Sequence, residues 1–253
     1  MSTRVHMAGV PMHAWTMDQT VAEIDRRLKA GEFMQHVVVN VAKMVSMQSD
    51  PALRDAVLCC DIINIDGMGV VWGGRFLGHR IPERVAGIDL FHRLLDLAER
   101  ERHSVFFLGA RPEVVEATVA RVGELHPGLA IAGYHHGYFW DDEAAVVEQI
   151  RASGAKMLFV AITSPKKEQF IARWRSQLGV GFAMGVGGTF DVVAGKTKRA
   201  PVWMQKSGME WFYRLAQEPR RMWKRYLSTN SRFAALLVKE ICSGARGKKP
   251  PLP

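Results

Sequence analysis

The stretch INIDGMGVVWGG, residues 63–74, runs an apolar segment into a carboxylate and then into glycines. Buried strands seldom end on an aspartate without use for it. Asp66 can open the next helix as a turn or cap residue. Alternatively, held at the rim of a sheet, it can act as a general base. The residues alone leave both readings open. A second candidate is GVGGTFDVVAG, residues 185–195. Small residues between a strand and a helix let backbone N–H groups approach a diphosphate. The pattern is not a dinucleotide fingerprint, because Phe190 stands where its third glycine belongs. A tight turn with Asp191 as local cap explains the same residues. His135 and His136 have no third ligand at metal spacing. No Asp-x-Asp pair of the kind that holds a cation against a nucleotide diphosphate is present, and WDDEAAVV reads as a helix start.

These residues must be held by something. Strand patterns at 36–41, 61–66, 104–110, 129–139, 156–162 and 180–188 alternate with helical patterns at 87–101, 112–125, 142–153 and 165–178. Helical turns are expected around Pro51. Continuous apolar strands alternating with helices predict a parallel α/β sheet covered on both faces. Ligands in such sheets lie beyond the carboxyl ends of the strands. Asn40, Asp66, Gly109, Thr163, Ser164 and Gly185–Gly188 each follow a strand, so one rim should gather them.

Charge is distributed unevenly. The chain of 253 residues carries +9, but Lys196 to the end holds 14 Lys and Arg against 3 Asp and Glu. That segment is +11 and the first 195 residues are −2. A cationic end on a nearly neutral body implies a polyanionic partner. Residues 199–227 mix arginines with Trp203, Trp211, Phe212, Tyr213, Trp223 and Tyr226, a composition suited to a membrane surface or to nucleic acid. A basic helix docked on its own domain is the plainer alternative. The N-terminus does not read as a secretory signal, and no apolar run is long enough to span a bilayer. Cys59, Cys60 and Cys242 have no zinc spacing and are expected to be reduced in a cytosolic protein.

Taken together, VNVAKMV, INIDGMGVVW, RVAGIDL, FFLGA, SPKKEQF, GVGGTFDVVAGKTKRAP and EWFYRLAQEPRRMWKRYL resemble the WecG/TagA/CpsF family of bacterial glycosyltransferases (glycosyltransferase family 26), from about Val5 to Tyr226. The resemblance implies a Rossmann-like catalytic domain (1–195) and a basic helical membrane-contacting appendage (196–243), while the composition of GARGKKPPLP reads as a disordered tail (244–253). The resemblance also implies inverting, metal-independent transfer from a UDP-sugar to a polyprenyl-diphosphate-linked sugar, without a cofactor, at the inner face of the cytoplasmic membrane. Asp66 takes the place of the catalytic base. Substrate contacts are implied at Asn40, Gly67, Arg84, Gly87, Asp89, Gly109, Lys167, Glu168, Gly185, Gly187, Gly188, Asp191 and Arg199, and at the appendage residues Arg214, Arg221 and Arg225. Two positions depart from the family's usual pattern: Val38 replaces a common threonine and Lys167 a usual glutamine. The donor sugar therefore stays open between N-acetylmannosamine, glucose and an acidic sugar, and a homo-oligomer is left open. A nicotinamide-dependent oxidoreductase lacks its fingerprint here. A Rossmann-like nucleic-acid-binding protein using the basic end is the alternative function, against which the slightly acidic body argues.

Overall fold

A computed structural model describes residues 4–242. One eight-stranded sheet organises them. The strands are β1 (Arg4–Met7), β2 (Val10–His13), β3 (Met34–Val39), β4 (Ile62–Ile65), β5 (Val105–Gly109), β6 (Ile131–His135), β7 (Met157–Ala161) and β8 (Phe182–Gly185), in the order β1-β2-β4-β3-β8-β7-β5-β6. Every pairing is parallel except β1 with β2, an edge hairpin turned at Ala8 and Gly9. The α/β fold is as the apolar strands predict. The hairpin and helix α1 (Met17–Lys29) lie in the stretch for which the strand pattern predicts nothing. The predicted strand 129–139 closes early, at His135, so His136 lies in the following loop.

Strand periodicity divides the core. Val105 and Phe107 face one side, Phe106 and Leu108 the other. On the first side lie α1, α5 (Gly87–Glu101), α6 (Pro112–Leu125) and α9 (Thr189–Val193). Phe190, in the place of a fingerprint glycine, is fully buried there against Phe91 and Phe107. On the second side α2 (Val41–Ser46), α3 (Pro51–Leu58) and α4 (Met68–Phe76) cover one half of the sheet, and α7 (Glu143–Ala152) and α8 (Lys166–Trp174) the other. Asp50 caps α3, with Pro51 in its first turn.

The C-terminal helices α10 (Val202–Lys206), α11 (Glu210–Gln217) and α12 (Pro219–Cys242) follow, with Pro219 opening the last of them. Far from hanging free, α12 runs along α2. Phe233 is buried in the second-side core, and Glu240 accepts the Ala8 N–H at 2.9 Å. Glycine at position 73 permits this contact, since a Cβ there would meet Phe233 at 3.0 Å. No described helix is long and apolar enough to cross a membrane.

Candidate active site

β3 and β8 are neighbours, but the chain leaves them for opposite faces: β3 leads into α2 and β8 into α9. Such a divergence opens a crevice at the carboxyl ends of the strands. Asn40 follows β3, and Gly185–Gly188 form the end of β8 and the turn after it. Asp66 and Gly67 follow β4, the other neighbour of β3. The Asp66 N–H bonds the Val39 carbonyl at 2.9 Å, which holds the two strand ends level. Gly67 caps α4 at φ +90°, a conformation that disfavours any side chain, and a Cβ there would lie 3.6 Å from Asn40 Cβ. The asparagine and the aspartate thus stand side by side on the rim.

Asn40 also has a local duty. Its side chain accepts the Lys43 N–H at 2.9 Å and caps α2. The side chain of Lys43, in the turn so capped, reaches Glu168 Oε1 of α8 with its Nζ at 2.7 Å. Lys167 Nζ is 3.6 Å from the same oxygen. All three side chains are at most one-tenth exposed. Glu168 Oε2 is buried without a hydrogen-bond partner. The Lys167 stem lies where a Cβ on Gly185 would be, 2.7 Å from its Cδ, and its Nζ ends beside Gly187. Glycine at 185 is therefore needed to seat a lysine. Burial, then repulsion from Lys43, lowers the Lys167 ammonium to about 8. Burial works to raise the Glu168 carboxyl, but the two ammonium groups outweigh it and hold it below the usual range.

A second charged cluster ties the C-terminal helices to the rim. Arg199 grips Asp89 with both terminal nitrogens, at 2.5 and 2.9 Å. Its Nε is 3.8 Å from Glu210 Oε1, while Glu210 Oε2 accepts from Arg84 at 3.1 Å. Burial disfavours the Arg199 charge, and Asp89, Glu210 and Asp66 together outweigh it and raise its pKa. The carboxylate of Asp66 is thus within electrostatic reach of Arg199. Arg84, Asp89 and Arg199, expected as substrate contacts, thus form one cluster: Asp89 pairs directly with Arg199, and Glu210 joins Arg199 to Arg84.

The remaining expected residues occupy the same rim. Gly109 ends β5 with its backbone against the Ala161 carbonyl, and Gly188 and Asp191 start α9. Gly87 opens α5 against Val38, at 3.4 Å from a Cβ built on the glycine, which accounts for the apolar residue at 38. The side chains of Arg214, Arg221 and Arg225 lie outside the described residues, as does the tail 244–253. Lys43 and Glu210 are absent from the sequence expectations. Lys43 and Glu210 each read as a solvated helix charge. The available signal is that both fall inside motifs of the resemblance, Lys43 in VNVAKMV three residues after Asn40 and Glu210 at the start of EWFYRLAQEPRRMWKRYL.

The family model described as "Glycosyl transferase WecG/TagA/CpsF family" matches residues 5–247. An N-acetylglucosaminyldiphosphoundecaprenol N-acetyl-beta-D-mannosaminyltransferase of Bacillus subtilis (strain 168) is 38% identical over 186 residues, 74% of this chain and 72% of the relative. A protein of the same name from Bacillus spizizenii (strain ATCC 23059 / NRRL B-14472 / W23) is 40% identical over 194 residues, 77% of this chain and 75% of the relative.

Proposed function

Because the chain belongs to the WecG/TagA/CpsF glycosyltransferase family, we propose that it transfers a sugar, with N-acetylmannosamine as the first candidate, from a UDP-sugar to a polyprenyl-diphosphate-linked N-acetylglucosamine. The observation that carries this reading is the placement of Asp66 beside Asn40, one strand away from a crevice lined by Lys167 and the glycine turn. In the proposed reaction Asp66 accepts the proton of an acceptor hydroxyl. The freed oxygen attacks the anomeric carbon from the face opposite the nucleotide, the bond to UDP breaks, and UDP departs with the electron pair. The relatives' names specify a beta product. From an α-linked nucleotide sugar that product is inversion, which needs one base and no covalent intermediate. Cationic side chains and backbone N–H groups at the crevice stabilise the charge that grows on the departing diphosphate. Guanidinium and ammonium groups can fill the role a divalent ion plays elsewhere.

The acceptor's lipid belongs at a membrane, and the C-terminal helices suit one. Trp203, Phe212, Trp223 and Leu227 are exposed, within a segment of strongly positive charge. Aromatic residues anchor at the headgroup level and basic residues are drawn to anionic lipid. The proposed location is peripheral, on the inner face of the cytoplasmic membrane.

The test is turnover of the full chain on a short-chain prenyl-diphosphate N-acetylglucosamine with a panel of UDP-sugars, the product anomer being read by NMR. A β-linked product from one donor is expected. Absence of transfer from every donor, or an α-linked product, refutes the reading.

A further inference from the structure

The buried cluster of Lys43, Glu168 and Lys167 is unbalanced: two ammonium groups share one carboxylate oxygen. Asp61, which Gln35 links to this corner, is already taken by Arg175 at 3.0 Å and by the Gln35 N–H at 2.8 Å. Burial pushes the nearby Cys60 thiol up, so it adds no negative charge, and burial keeps His36 neutral at neutral pH. An ammonium has three donors, and a buried cation is costly unless paired and hydrogen-bonded. Lys43 meets its carboxylate at hydrogen-bond distance. Lys167 does not, at 3.6 Å, and its stem is lodged against Gly185 so that Nζ ends at Gly187 in the turn after β8.

We infer that Lys43 is a positioning residue for the donor: by occupying Glu168 Oε1 it leaves the Lys167 ammonium to meet an anionic oxygen of the nucleotide sugar held over the glycine turn. This rests on the reading of the protein as a nucleotide-sugar transferase. The same ammonium chemistry suits two sources of that oxygen, the diphosphate or a carboxylate on an acidic sugar. Lys43 itself does not touch the donor. It acts by keeping the cluster at a net positive charge and Lys167 incompletely paired.

The test measures binding of UDP, UDP-N-acetylglucosamine and UDP-glucuronic acid to the full chain by calorimetry. The variants are Lys167→Met, Lys43→Met, Lys43→Gln and the double variant Lys43→Met/Glu168→Gln, each checked for a native melt. A charge-assisted hydrogen bond is worth enough to weaken binding about 10-fold or more when lost. Lys167→Met should show that loss. Lys43→Met should show it too, because Glu168 then turns to Lys167 and neutralises it. Lys43→Gln keeps the polar side chain but removes the charge that holds Glu168 against the pull of Lys167, so Glu168 turns to Lys167 and binding should weaken likewise; the inference stays testable if the methionine variant does not fold. The double variant removes one charge of each sign and should bind within about 3-fold of wild type, a rescue that a merely structural lysine would not give. Loss for all three ligands identifies the diphosphate; loss confined to UDP-glucuronic acid identifies the sugar carboxylate. Unchanged affinity in the Lys167 and Lys43 variants, or a double variant no tighter than Lys43→Met, overturns the inference while leaving the glycosyltransferase reading intact. Absence of UDP binding by the wild-type chain overturns that reading, and the inference with it.

Discussion

Acid should loosen the sheet that carries Asn40 and Asp66, and His36 shows by how much. His36 sits in β3 with Nε2 at 2.8 Å from Asn64 Oδ1 in β4. The Asn64 amide donates to Thr20 Oγ1 at 3.1 Å, and that hydroxyl donates to the Thr16 carbonyl at 2.9 Å. The asparagine oxygen therefore faces the imidazole, and the imidazole must donate from Nε2. Nδ1 is left as a buried lone pair without a partner. Protonating it would bury an N–H with no acceptor. Burial first, with repulsion from Lys43 and His13 adding and the Asn64 bond opposing, lowers the ring from 6.5 to about 4. The unfolded chain binds this proton below about 6.5 and the native chain only near 4, so stability falls as pH drops through that window. The shift is worth about 3 kcal/mol in full, at roughly 1.4 kcal/mol per pH unit between the two values. His13, lowered to about 4, adds in the same direction. Glu23, lowered to about 2, and Glu168 contribute stability that is lost only below the ordinary carboxylate range. The span from pH 6.5 to 5 thus belongs to histidines. Urea unfolding at 25 °C, followed by tryptophan fluorescence at several pH values in that span, should give a positive slope. His36→Gln should reduce the slope by about 1 kcal/mol per unit averaged over that span, since the unfolded ring is only half protonated at pH 6.5. Equal slopes for wild type and His36→Gln would refute the assignment of a buried neutral ring.

Three further outcomes follow from the proposed chemistry. Asp66→Asn should cut turnover by about 10²–10⁴-fold, the usual worth of a general base, with UDP affinity nearly unchanged; near-normal turnover would remove Asp66 from that role. Turnover should survive EDTA, and a loss restored by magnesium would count against cations of the protein serving in place of a metal. Replacing Trp203, Phe212 and Trp223 together by serine should lower binding to vesicles containing anionic lipid while leaving the melt native, since all three are exposed; unchanged vesicle binding would exclude these helices as the membrane contact. Truncation is a poorer probe, because Phe233 of α12 belongs to the core of the body.

Local patterns made much of this protein readable from its sequence. The apolar strands and the helical spacing after them announce a parallel sheet, and the placement of Asn40, Asp66 and the glycines after strands announces a rim. Helix α1 went unread, although the structure starts it with a capping box of Thr16 and Gln19 whose two hydrogen bonds are both formed. The hairpin was not legible, because strands of four residues are too short for their alternation to stand out. What no local pattern contains is the order of the strands. The adjacency of β3 and β8 brings Lys43 to Glu168 across 125 positions, and the return of α11 brings Glu210 to Arg84 across 126. An isolated lysine or glutamate on a helix looks like a solvated charge. Only the tertiary structure buries these together, and burial turns an ordinary charge into one that needs a partner. Conversely, Gly185 reads as a phosphate-loop glycine in the sequence, whereas the packing shows it also makes room for the stem of Lys167.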